Sequence, residues 1–91
     1  MSPLDDKLSE LRARFVRRSA DEIAEIDRAM AERDRPALIE RAHAIAGIAG
    51  LFGFGEIGTA AAELEEKGRA GGDVEAAAAR LRAMLSALAA G

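Results

Sequence analysis

The sequence predicts an all-α fold: an antiparallel up-and-down four-helix bundle whose first helix is long. Three observations carry this. The chain is rich in Ala, Leu, Glu and Arg, the residues that lose least conformational freedom in a helix. Its apolar residues recur at spacings of three and four, and no stretch alternates β-branched or aromatic residues as a strand would. Turn signals are short and separate four amphipathic segments, which neighbouring helices can bury against one another.

The first segment spans residues 3–33. Ser2 precedes Pro3, which suits a first helical position, and Asp5 and Asp6 favour the positive end of the helix dipole. Leu4, Leu8, Leu11, Phe15, Ser19, Ile23, Ile26 and Met30 follow helical spacing without an intervening Gly or Pro. That reads as one helix of about 30 residues. Arg17-Arg18-Ser19 and Asp21-Glu22 interrupt the stripe, so a bend belongs there if anywhere. Arg12, Arg14, Arg17 and Arg18 read as a solvated face partly paired with Asp21, Glu22 and Glu25.

The second segment spans residues 35–52. Asp34 serves as its cap, and Pro36 lies in its first turn. Gly53 follows as a C-terminal glycine, where positive φ is free of steric cost. The third segment, 55–68, carries Ile57, Ala60, Ala61 and Leu64 and fades into Gly71-Gly72. Asp73 opens the fourth, 73–90, with Glu75 in its first turn and Val74, Ala77, Leu81, Met84, Leu85 and Leu88 on its apolar face. The abundance of core alanines implies closely spaced helices.

Ninety-one residues make one small domain with a single core. The absence of cysteine excludes disulfides and thiolate chemistry, and a lone histidine excludes a multi-histidine metal centre. A formal charge of −3 with only three Phe as aromatics argues against nucleic-acid binding. The charged N-terminus and the lack of a long apolar run argue against a signal peptide or membrane span. A cytoplasmic monomer is the expectation.

The second segment is the informative one. Leu38, Ala42, Ile45, Ala49 and Phe52 fall on one stripe at about 100° per residue. His43, the only histidine, lies about 140° from that stripe, Gly50 about 120° and Gly47 about 180°. Each glycine inside a helix costs about 1 kcal/mol relative to alanine. On a buried face, close helix packing would explain them. On the histidine's face, they leave backbone bare for something outside the bundle. A solvent-reachable imidazole, with an ordinary pKa near 6.5, keeps a lone pair at neutral pH and attacks phosphoryl groups. In-line attack needs an unobstructed approach, which Gly47 supplies one turn on. One histidine with no carboxylate cage and no second nucleophile suits carrying a phosphoryl group better than hydrolysing it.

His43-Ala44-Ile45-Ala46-Gly47, followed by Phe52-Gly53-Phe54, Ile57 and Leu64-Glu65, resembles the signature of histidine-containing phosphotransfer (HPt) domains. Phe15, Ile23, Ile26, Ala29 and Asp34 match the spacing of that family's first helix. The resemblance, to the stand-alone bacterial type, implies that His43 is the phosphoacceptor through Nε2 and that Gly47 and Gly50 give access to it. It implies receiver domains of response regulators and hybrid histidine kinases as partners. It implies a carrier without autokinase activity and without a cofactor of its own, the receiver supplying the aspartate and the Mg²⁺. Ile39 and Ala46, small or apolar beside His43, suit docking of a receiver's apolar helix.

The chain departs from the family at Ala46, where a lysine is usual. Arg69, Lys67 and Arg41 are the candidate replacements as charge partner of the phosphoryl group. The alternative that Ala46 favours is a helical adaptor that docks on receiver or kinase domains without being phosphorylated. A kinase is disfavoured because no Gly-rich nucleotide loop ending in Gly-Lys-Ser/Thr is present.

Overall fold

The computed structural model describes residues 2–91 and places five helices there: α1 (Pro3–Arg17), α2 (Ser19–Ala31), α3 (Arg35–Leu51), α4 (Gly55–Arg69) and α5 (Glu75–Ala90). Among the described residues there is no strand. Helices α2 to α5 form a closed ring, α2 on α3, α3 on α4, α4 on α5 and α5 back on α2. The molecule measures 46 × 23 × 17 Å. Among the described residues, no helix is long and apolar enough to cross a membrane.

The single helix expected over 3–33 is two. Arg18 stands between them with φ −86° and ψ −3°, and its amide is shared between the carbonyls of Arg14 and Phe15 at 3.0 and 3.1 Å. The physical cause sits at Ser19. Its side chain is fully buried, and its hydroxyl donates back to the Phe15 carbonyl at 3.3 Å. A serine bonding back to the preceding turn competes with the helix ladder and bends it. Three residues on, the carboxylate of Glu22 is also buried, accepting from Arg41 at 3.2 Å with Arg18 at 3.7 Å. The interruption of the apolar stripe at Arg17-Arg18-Ser19 thus marks the break.

The other ends follow local chemistry. Ser2 Oγ accepts from the Asp5 amide at 3.2 Å, and Asp34 Oδ1 from the Ala37 amide at 3.1 Å. Asp73 Oδ1 accepts from the Glu75 amide at 3.0 Å, although α5 begins two residues later than 73. α3 ends in a left-handed glycine, Gly53 at φ +83°, with Phe54 N–H donating to Ala49 O at 2.9 Å. That is the double-bonded helix stop that satisfies otherwise orphaned carbonyls. Arg33, at φ +54°, makes the same stop after α2.

Ile26, Ile45, Leu64, Leu81 and Leu85 are the large side chains fully buried at the centre. Around them Ala29, Ala42, Ala49, Ala60 and Ala61 let the helices close up. α3 and α4 approach most closely. A Cβ on Gly58 would lie 3.4 Å from Gly50 N and 3.6 Å from Ala46 O. Two carboxylate pairs tie α5 to its neighbours, Asp27–Arg82 at 2.8 and 3.0 Å and Glu63–Arg80 at 2.9 Å.

α1 lies beside the ring, braced at one end. Arg12 Nε donates to Phe52 O at 3.0 Å, and its guanidinium sits 5.0 Å over the Phe54 ring. Phe54 in turn stacks on Phe15 with centroids 5.5 Å apart. Arg12 and Arg18, read from sequence as part of a solvated basic face, therefore also brace the α3–α4 turn and pair with Glu22.

Candidate functional site

α3 buries Leu38, Ala42, Ile45 and Ala49, which turns His43 outward; its side chain is 72 % exposed. Nδ1 lies 2.9 Å from Glu65 Oε2 across the α3–α4 seam. The same oxygen accepts from Arg69 at 3.0 Å through Nε and 2.8 Å through Nη2. Arg69 stands one helical turn after Glu65, where side chains of a helix meet. Glu65 is only 17 % exposed.

Arg69's hydrogen bond holds the Glu65 carboxyl below the usual carboxylate range; partial burial opposes this, and the His43 contact adds to it. An ionised carboxylate can only accept, so it places the ring proton on Nδ1. The neutral ring then keeps its lone pair on Nε2, the nitrogen not engaged by Glu65.

The backbone beside the ring is bare. A Cβ built on Gly47 or on Gly50 meets nothing within 4 Å. Neither glycine is wedged between helices at its open side, although the Gly50 backbone itself faces Gly58.

The remaining sequence candidates are dispersed. Ile39 is half-buried, and its Cγ1 lies 2.7 Å from where a Gly68 Cβ would be, so it packs onto α4. Ala46 is half-buried on the same seam. Arg41 is turned to Glu22, at 3.2 and 3.4 Å. Lys67 is exposed. Arg69 is near the ring, but its guanidinium is forked on Glu65. Among the described residues, no cluster of three or more His, Asp or Glu could hold a metal ion.

Two features escaped the sequence reading. Glu65 was visible only as half of a Leu-Glu pair, not as the partner of His43. Its signal is the hairpin register: His43 and Glu65 each lie eleven residues from Phe54, and Gly50 and Gly58 each four. The second feature is the apolar surface. Among the described residues, the exposed large apolar side chains are Ile48 and Leu51 on α3, and Leu4 and Leu8 on α1, with Leu51 at 69 % and Leu4 at 67 %. Leu51 lies about 80° round α3 from His43, on the side away from the α4 seam.

An exposed imidazole with an oriented tautomer, beside backbone stripped of side chains, leaves Nε2 open to an approaching electrophile. No curated protein and no solved structure matches the chain. The Hpt domain family model matches residues 10–91, and on that match the chain belongs to the Hpt domain family.

Proposed function

We propose that this protein carries a phosphoryl group on His43 Nε2 between the aspartates of receiver domains in a two-component phosphorelay. Hpt domains serve histidine phosphotransfer, and they are carriers rather than kinases. The observation that carries the assignment to His43 is its outward Nε2, with Nδ1 engaged by Glu65 and open backbone at Gly47.

The step is an in-line displacement. The Nε2 lone pair forms the N–P bond as the P–O bond to the donor aspartate breaks, returning that carboxylate. Transfer onward reverses the sequence at a second receiver. Mg²⁺ belongs to the receiver, beside the acyl phosphate. Leu51, about 80° round α3 from His43, supplies exposed apolar surface on which a receiver helix can rest.

One observation favours a second reading, an unphosphorylated adaptor. Ala46 brings no cation to the ring, and Arg41 and Arg69 are each committed to a glutamate. The experiment that separates the two charges receiver domains with acetyl phosphate and Mg²⁺ and adds the protein. Transfer yields an acid-labile, base-stable phosphate that His43→Gln abolishes. Receiver binding without label supports the adaptor, and label that persists in His43→Gln removes His43 from the proposal.

A further inference from the structure

We infer that the cleft between α1 and α3 selects which receiver docks. It takes an apolar side chain from the receiver's docking helix, and Arg14 on its rim pairs with a carboxylate one turn along that helix. The inference deepens the carrier reading and rests on receivers being the partners, as they are for Hpt domains.

The cleft lies on the histidine's side of α3. Leu51, Ala44 and Ile48 stand about 80°, 100° and 140° round that helix from His43, all in the sense away from Ala46 and the α4 seam. Ala44 and Ile48 form one wall, Leu11 of α1 the other, and the buried Phe15 and Ile45 the floor. Ala44 follows His43 directly, with Cα atoms about 3.8 Å apart. A partner burying about 800 Å² covers a disc of roughly 16 Å radius. Centred on His43, that disc takes in the cleft, whose near wall begins at the next residue.

Size decides what enters. The cleft holds about 90 Å³. Small-molecule sites run to roughly 300–1,000 Å³, and an apolar cavity that takes a benzene ring is about 150 Å³. The space therefore suits the end of one aliphatic side chain presented by a protein.

Charge decides which protein. Arg14, Arg18 and Arg41 line the cleft with a single carboxylate, Glu22. Arg41 donates to Glu22 at 3.2 Å and Arg18 lies 3.7 Å from it, so those two share it. Arg14 is exposed and, among the described residues, has no ion pair. Three guanidinium groups against one carboxylate leave an excess of positive charge beside an apolar hollow. Residues three or four apart share a helix face, so a side chain seated in the cleft brings the next turn of its helix over this rim. Opposite charge there speeds encounter and fixes register. Elsewhere around His43 the balance differs. Glu40 and Glu66 are exposed, Arg69 is forked on Glu65, and Lys67 lies about 160° round α4 from Glu65.

The test titrates a panel of receiver domains, ranging from acidic to basic around the phosphorylated aspartate, into the protein by calorimetry, which needs no transfer. The parent should bind the acidic members most tightly, with a Kd that rises with salt. An exposed ion pair is worth up to about fivefold in a binding constant, and reversal adds repulsion. Arg14→Glu should therefore weaken acidic receivers about tenfold and leave basic ones equal or tighter. Ala44→Leu fills the cleft and should weaken the whole panel about tenfold. Neither change should alter labelling of His43 by phosphoramidate, whose P–N bond breaks with loss of ammonia as the Nε2–P bond forms. Parent affinities that ignore receiver charge overturn the inference, as do parent affinities in Arg14→Glu or in Ala44→Leu. A matching loss of phosphoramidate labelling overturns it too, because the damage then lies at the histidine or in the fold. If the binding results hold while neither phosphoramidate nor a charged receiver labels His43, the cleft stands and the carrier reading fails.

Discussion

Replacing Gly47 separates what the fold wants from what the site needs. Gly47 lies inside α3, and a Cβ built there meets nothing within 4 Å. Alanine is therefore accommodated without a shift of any neighbour. A helix-interior glycine is about 1 kcal/mol less favourable than alanine, chiefly through the freedom it has in the unfolded chain. Gly47→Ala should raise stability by about 0.5–1 kcal/mol, or roughly 3–6 °C in Tm for a domain of this size. Urea unfolding should show a later midpoint at unchanged slope. Gly47→Arg, pointing into the same open space, should keep the parent's stability within about 0.5 kcal/mol. It should slow transfer from a charged receiver more than tenfold, because its side chain occupies the line of approach to His43. A Gly47→Ala protein less stable than the parent would show that the backbone there packs against something. Parent-rate transfer by Gly47→Arg would remove the access argument.

Two further outcomes test the packing and the charges. Gly68→Ala puts a Cβ 2.7 Å from Ile39 Cγ1 and 3.3 Å from its Cδ1, so urea unfolding should show a loss of about 1–3 kcal/mol; in an Ile39→Ala background the same change should instead be neutral or stabilising. The Asp27 carboxyl is held below its ordinary 3.8, first by the hydrogen bond from Arg82, with burial opposing. A carboxyl lowered in the folded state adds stability above the unfolded pKa of about 4, and this is lost as the pH falls through the folded value. The stability gap between the parent and Arg82→Gln, read by urea unfolding at each pH, should thus be full at neutral pH, small because the pair is half exposed, and close as the pH falls below about 4.

Much of this was legible in the sequence, and the exceptions share a cause. Caps and stops are local: Ser2, Asp34 and Gly53 act on amides and carbonyls within a few residues, so composition reveals them. The outward placement of His43, Gly47 and Gly50 follows from helical periodicity alone. The break at Arg18 was visible as a gap in the stripe, but its reason was not. It depends on Ser19 being fully buried, a property of the neighbours it meets. Arg41 and Arg69 were candidates for one role because sequence reports charge without direction. Glutamates on α2 and α4 decide where each guanidinium points. Ile39 looked like open surface for the same reason, until Gly68 offered it a place on α4.

The position of α1 outside the ring bears on the order of assembly. Residues 3–10 are all exposed, and the helix is held mainly by Phe15 and the Arg12 brace at its C-terminal half. α3 and α4, neighbours in the chain and the most intimate pair in space, form a hairpin of low contact order suited to early formation. Detaching α1 leaves the other four helices with their mutual interfaces, so its amides exchange through a partial opening well below the global unfolding free energy. The exposed leucines at its start, Leu4 and Leu8, can therefore realign independently of the interior that fixes the imidazole.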